Sequence, residues 1–446
     1  MIFRRYGTFT GGIDLPDQKH DTLDRAIDVC PRPGLLRVPL APCGGRAARM
    51  LISQGALVTP GERIAAAVDD SGVDIFAPLA GRIGKAATVL VGSRRNFTAS
   101  PAIEILAVES PGPIRPLNQV FDWRAASPQA LRERLGQGGL AVTRPRPWPM
   151  AAWLAAARGG RCRTLICNAV EPQPYVTADH RLLAEHGADV IRGLTILASA
   201  LNAPETILAV DQRRTDDYRE LVGPARACKI SMIALLPKYP IGNDVLVTKV
   251  LGRREAPIGG SSLDVGVAIT DAATCFAVYR WAACDSPMTS RVVTVAGERI
   301  AQPANLWTPF GAAVPLLTGG AEEPFVHGGA MSGLLMEREA VAWAATEAVL
   351  ALGAPAPAPP TPCIRCGWCT DHCPARLDVA ALNDYFELGQ IEQANRAGAL
   401  ACVNCGICSY ICPARLPLAQ RVRQLNVGMA ARRRQMPLLT PSLKEP

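Results

Sequence analysis

Two short stretches hold the residues best suited to chemistry: "CIRCGWCTDHCP" at 363–374 and "CVNCGICSYICP" at 402–413. Each reads C-x2-C-x2-C-x3-C-P and packs four thiols into eleven residues. Three cysteines spaced by two wrap a loop around one iron–sulfur cube, whereas the fourth lies past a turn and ligates the other cube. The spacing therefore assigns Cys363, Cys366, Cys369 and Cys412 to one 4Fe-4S cluster, and Cys402, Cys405, Cys408 and Cys373 to a second. Pro374 and Pro413 end the loops, and Gly367 and Gly406 relax the backbone beside the sulfurs. Two structural zinc sites are the competing reading, although zinc usually takes well-separated C-x2-C pairs. Paired cubanes carry single electrons and do no bond chemistry by themselves.

Helices must position these loops. Between the runs, "RLDVAALNDYFELGQIEQANRAGAL" places Val379, Leu382, Phe386 and Leu388 near helical spacing. After the second run, Leu418, Val422, Leu425 and Met429 share a helical face. The unit is therefore expected to be an α-helical two-cluster ferredoxin over 363–425, followed by a basic tail at 426–446. From Ala414 onward there are seven Arg or Lys and one Glu. That stretch reads first as a solvated helix packing one stripe, and second as a dock for an acidic carrier or anionic lipid. The proline-rich run "GAPAPAPPTP" at 353–362 reads as a semi-rigid linker.

Upstream, short apolar runs alternate with turn signals over 55–91, the pattern of a barrel-sandwich hybrid. The tip "VDDSGVD" carries no lysine, so it reads as a packing module and not a swinging arm. From Ser127 the pattern becomes strand–helix alternation: "RTLICNAV", "ETILAVD" and "KISMIALLP" read as buried strands of a parallel sheet covered on both faces. Ligands in such sheets bind at the carboxyl ends of the strands, which here carry Asn168, Glu171 and Asp211. His180 and His186 fall on different helix faces and do not form a metal pair.

The 446 residues suffice for about three domains. With 49% hydrophobic and 19% charged residues, global disorder is excluded. A net charge of +8 suits an acidic partner or membrane face, and with 5% aromatics it does not indicate nucleic acid. The first residues show no apolar signal region, and no apolar stretch reaches membrane-spanning length, so a soluble or peripheral protein is expected. The other seven cysteines (Cys30, Cys43, Cys162, Cys167, Cys228, Cys275, Cys284) form no ligand-like cluster and read mostly as small core residues.

Along nearly its whole length the chain resembles the C subunit of Rnf-type electron-transport complexes. The resemblance rests on "FTGGIDLP" (9–16), "APLAGRI" (77–83), "NAVEPQPYVTADHRLL" (168–183), "KYPIGND" (238–244), "RVVTVAGERIAQPANLW" (291–307), "HGGAMSG" (327–333) and both cysteine runs, in this order. It implies a multidomain α/β chain. A barrel-sandwich hybrid would span 1–118 and a domain like the flavin subunit of complex I 119–265. An SLBB-like β-grasp domain would span 266–352, before the linker and ferredoxin. It also implies electron transfer from NADH through FMN and two 4Fe-4S clusters to membrane subunits at the cytoplasmic face. The implied partners are those subunits, with ferredoxin and NADH as further candidates. A soluble flavin and iron–sulfur reductase, of the cobalamin-reductase or proline-reductase-associated type, is the alternative.

The sequence departs from that family at the flavin and nucleotide loop. The family pattern there is G-x-G-G-x-G-F-P-T-x-x-K, whereas this chain has "GQGGLAVTRPRPWPMAAWL" at 136–154. Gly138 and Gly139 survive, Arg144, Pro145, Arg146, Pro147 and Trp148 fill the loop, and Trp153 falls near the lysine position. In "NAVEPQPY", Glu171 remains while Pro172 and Gln173 replace a cysteine and an acid of the family pattern. Either Arg144 and Arg146 hold phosphate by charge-assisted bonds, with Gly138, Gly139 and Glu171 completing the site, or the tryptophans fill the pocket. Bulky groups where backbone must touch a ligand favour loss or strong weakening of flavin and NADH binding. Dehydrogenase activity is correspondingly in question.

Overall fold

The computed structural model describes residues 4–6, 9–94, 96–108, 118–144, 147–337, 339–353 and 359–435, with backbone alone at 4–6 and 431–435. The chain divides into two compact units. One comprises Met1–Thr8, Asp14–Ala256 and Ser261–Pro355, the other Phe9–Ile13, Pro257–Gly260 and Ala356–Pro446.

In the first unit, a long hairpin of Gly81–Gly92 and Phe97–Ala107 forms the frame of the barrel-sandwich module, with Leu35–Pro39 paired to its second strand. Leu36, Ile83 and Ile105 close its core. A parallel sheet follows, ordered Arg4–Tyr6, Ser231–Leu235, Glu205–Asp211, Thr164–Asn168, Val267–Thr270. Thr164–Asn168 is buried at every position, as expected of a central strand with helices on both faces. Helix Ala178–Leu201 buries an apolar stripe including Leu182, Val190, Leu194 and Leu197, and it stops at Asn202, whose left-handed conformation caps it.

A six-stranded sheet contains Ser290–Ala296 at its centre between Ala348–Leu350 and Ala304–Pro309. The division expected at 265/266 does not follow the hydrogen bonding. Val267–Thr270 pairs with Thr164–Asn168, and helix Ala272–Cys284 packs in the same core, so both belong to the α/β part. The short apolar strand "VAIT" is indistinguishable by pattern from a β-grasp strand; only its pairing partner reveals its sheet.

The second unit is helical between and after the cysteine runs: Val379–Glu387, Ile391–Arg396 and Leu418–Gln435. Leu418, Val422, Leu425 and Met429 are all buried against Val379 and Leu382, which bears out the packed-stripe reading of the final helix. Leu388 is instead 68% exposed, because it is the C-cap, where the helical face ends. Half of the linker and the end of the basic tail lie outside the described residues.

Candidate functional site

The two cysteine loops share one backbone. Arg365 and Asn404, at the same place in each run, take left-handed φ of 57° and 54°; Gly367 and Gly406 take 81° and 82°; Arg376 and Arg415 take 55° and 56°. The glycines need this freedom because the chain turns sharply around the space that the thiols face. The first three cysteines of one run come together with the last cysteine of the other. Cys363, Cys366, Cys369 and Cys412 line one cavity, closed by Ala380, Pro413 and Leu416. Cys405 is half-buried, and its thiol is pushed up to about 12, chiefly by burial and then by Cys402 and Cys373. Cys408 is raised likewise by burial and by Cys405, Cys402 and Cys373. The Leu377 N–H donates to Cys373 Sγ and the Asn404 N–H to Cys402 Sγ, both at 3.4 Å. Among the described residues no three His, Cys, Asp or Glu side chains converge tightly enough for a single ion. Three closely spaced thiols of one run with the last thiol of the other form a donor set that fits a cubane.

One part of this site was not assigned to it by the cysteine spacing, although it lies in "FTGGIDLP". The segment Phe9–Ile13 lies against the loop that carries Cys373. Gly12 N–H donates to the His372 carbonyl at 2.9 Å, and Arg376 Nε donates to Thr10 Oγ1 at 3.2 Å. A Cβ on Gly11 would stand 2.7 Å from the Cys373 carbonyl oxygen.

The second expected site lies at the carboxyl ends of the parallel strands, and its residues have other duties. A Cβ on Gly138 would clash with the Trp281 ring. Gly139 has φ +66°, and a Cβ on it would stand 2.7 Å from the Asp74 carbonyl oxygen. Both glycines thus serve close internal packing. Glu171 accepts from the N–H groups of Asp179 and His180 at 2.8 and 3.0 Å, so both its oxygens satisfy the first turn of helix Ala178–Leu201. Burial raises its pKa, while Lys19 pulls the other way. Gln173 donates to Tyr239 Oη and Ser332 Oγ and accepts from Met331 N–H, which pins the "HGGAMSG" turn. A carboxylate there could not donate those two bonds.

Arg144 is 1% exposed. Its guanidinium lies 3.6 Å from Asp244 and 3.9 Å from each of Asp179, Asp271 and Glu347, with the Gly242 carbonyl at 3.5 Å. Burial alone would lower its pKa, but the four carboxyl groups outweigh it and raise it. Burial pushes the Asp179 carboxyl well up, aided by Asp271 and Glu171. Glu347 falls to about 2 because Arg94, Arg144 and Arg291 overcome its burial. Trp153 is 2% exposed in the core, and Trp148 packs against it. Arg146 lies outside the described residues. With Arg144 enclosed by acids, Glu171 capping a helix and both glycines packed on protein, these residues do not fit a flavin phosphate.

Fold and thiol geometry together define an iron–sulfur protein in which an α/β scaffold precedes a helical dicluster unit. Residues 7–106 match the family model described as RnfC barrel sandwich hybrid domain, 146–280 the Nuo51 FMN-binding domain, and 361–427 the 4Fe-4S dicluster domain. The chain is 32% identical over 407 residues to the C subunit of the ion-translocating oxidoreductase complex of Rhodobacter capsulatus, covering 87% of this chain and 77% of that one. It belongs to the family of that protein. The protein of the same description in Edwardsiella ictaluri is 32% identical over 396 residues, 84% of this chain; that in Pseudomonas aeruginosa is 30% identical over 395, 85% of it. The chain spans about half the length of those two, 48% and 50%. A solved NAD+-reducing NiFe hydrogenase chain is similar in structure at a TM-score of 0.45 and 18% identity, over 70% of this chain and 67% of that one.

Proposed function

We propose that the chain is the peripheral electron-relay subunit of an Rnf-type membrane complex. Its ligands would be Cys363, Cys366, Cys369 and Cys412 for one 4Fe-4S cluster, and Cys402, Cys405, Cys408 and Cys373 for the other. The observation that carries this reading is the single cavity lined by three thiols of the first run and the last thiol of the second. A 4Fe-4S cluster held there accepts and releases one electron at a time. The protein's part is to fix the sulfurs and tune them: N–H groups of Leu377 and Asn404 aimed at Cys373 and Cys402 stabilise negative charge on sulfur. Crossed ligation also ties each cluster to both loops, which keeps the two centres neighbours.

The partners in this reading are the other subunits of the complex, docked at the cytoplasmic membrane face, with ferredoxin a candidate carrier. Among the described residues no helix is long and apolar enough to cross a membrane, which is compatible with peripheral attachment. Anaerobic purification of the full chain tests the proposal. The expected content is about eight irons and eight sulfides per chain, with the broad visible absorbance of cubanes. Bound zinc, or iron without acid-labile sulfide, defeats it.

A further inference from the structure

From Thr164–Asn168 the chain steps outward through Glu205–Asp211 to Ser231–Leu235. It then returns to the opposite side of Thr164–Asn168 with Val267–Thr270. The strand order therefore switches direction between Thr164–Asn168 and Val267–Thr270. In open α/β sheets the crevice outside the carboxyl ends at such a switch is where ligands sit. Asn168 ends the first of these strands and Asp271 follows the second. Between them stands the Arg144 side chain, and Asn168 is tied to the Gly242 carbonyl and Asp244 at 2.9 and 3.1 Å. Thr143 donates to Asp271 from the residue beside Arg144.

The charge at this crevice has the wrong sign for a phosphate. Asp179, Asp244, Asp271 and Glu347 surround the guanidinium. The half-buried Arg94 bonds Glu347 at 2.6 Å, and Arg291 adds a second buried cation nearby. Three guanidinium groups face four carboxyl groups, and burial pushes the Asp179 carboxyl well up, toward its neutral form. A phosphate dianion placed among them would meet these carboxylates, although Arg144 Nε itself has no hydrogen-bond partner. A buried cation is costly unless paired, and here the pairing is supplied entirely by the protein.

We propose that Arg144 fills the ligand crevice of this sheet as an internal cation, so that the chain takes neither FMN nor hydride and receives electrons singly from a reduced protein carrier. A hydride delivers two electrons and a proton together, which a 4Fe-4S cluster cannot accept as such. A one-electron donor balances the step directly: the carrier is oxidised by one electron, one cluster is reduced by one, and no bond forms or breaks.

The full chain, purified anaerobically with FMN added throughout, provides the test. Iron near eight per chain with FMN below about one-tenth is expected. NADH should leave the cluster absorbance unchanged, while reduced methyl viologen, a one-electron donor, bleaches it. Stoichiometric FMN, or bleaching by NADH without added flavin, overturns the proposal; low iron would instead sink the relay reading while leaving the flavin result to be judged separately. Arg144→Met should lower the melting temperature by about 10 °C, because it leaves buried carboxylates unpaired, and should still bind no FMN. The double variant R144M/D271N should recover part of that loss, since the stranded charge is removed with its partner. Arg144→Met melting like the wild type refutes the internal-cation role, as does wild-type FMN binding that this variant abolishes. If the variants do not accumulate, the wild-type FMN and NADH measurements decide alone.

Discussion

Replacing Cys412 with alanine tests crossed ligation at the point where the two possible wirings differ most. If each run held its own cluster, Cys412 would belong with Cys402, Cys405 and Cys408. The cavity instead gathers Cys412 with Cys363, Cys366 and Cys369. Each cube carries four irons, so loss of one cluster takes the count from about eight to about four. Cys363→Ala and Cys412→Ala should each give about four, and so should C363A/C412A, because both thiols serve the same cube. C363A/C373A should give about zero, because those two thiols serve different cubes. Run-wise wiring reverses the doubles: C363A/C373A would keep about four irons and C363A/C412A would keep none. Iron and sulfide counts on anaerobically prepared full chain read the outcome, with cluster absorbance as a second measure. A result in the run-wise order refutes the geometry, whatever the single variants show.

Two further outcomes follow from the α/β part. Gly138→Ala should cost about 1–3 kcal/mol of stability by thermal melting, because its methyl would clash with the Trp281 ring. That ring cannot swing aside freely: Trp281 Nε1 donates to the Arg134 carbonyl at 2.7 Å and Arg134 stacks over it. A variant that melts like the wild type would show that the glycine is not kept for packing. His180 and His327, held down to about 3 and about 4 mainly by burial, are neutral in the folded chain and protonate first when unfolded. Their folded values lie below the ordinary 6.5. The stability that they contribute is therefore complete above that pH and falls as pH drops toward 4 and 3. At pH 5.5 each should already cost roughly 1 kcal/mol. Melting temperatures from pH 8 to 5.5 should be level at first and then decline; a level curve throughout contradicts the burial argument.

The sequence showed those features whose cause is local. Leu418, Val422, Leu425 and Met429 announce a packed helix because helical spacing is a property of neighbours in sequence, and all four are buried. What could not be read was any role fixed by distant partners. Arg144 in a loop normally rich in glycine signalled a changed pocket, but its four carboxyl partners come from positions 179, 244, 271 and 347. Nothing near Arg144 separates an arginine awaiting phosphate from one already enclosed. Gly138 and Gly139 survive in a ligand-binding pattern, yet they are required by Trp281 and the Asp74 carbonyl. Glu171 was visible at a strand end; that its oxygens cap the next helix depends on the turn between them.

The cluster loops show why identical spacing is stronger than composition as a guide. Arg365, Arg376 and Arg415 hold left-handed backbone without being glycine, at a cost of about 1 kcal/mol or more each, and Asn404 holds it more easily. The same conformations recur at equivalent places in both runs, at Arg365 and Asn404 although the side chains differ, and at Arg376 and Arg415, where they are the same. Beside them, Trp368 is 53% exposed whereas its counterpart Ile407 is 1% exposed, so the two loops do not share a packing environment that could impose one shape. What they share is the cysteine spacing, with the glycine inside it and the Pro-Ala-Arg-Leu that follows each run. The strain is therefore best explained by a demand common to both loops, the positioning of three thiols around a cube, which bonds to iron then hold in place.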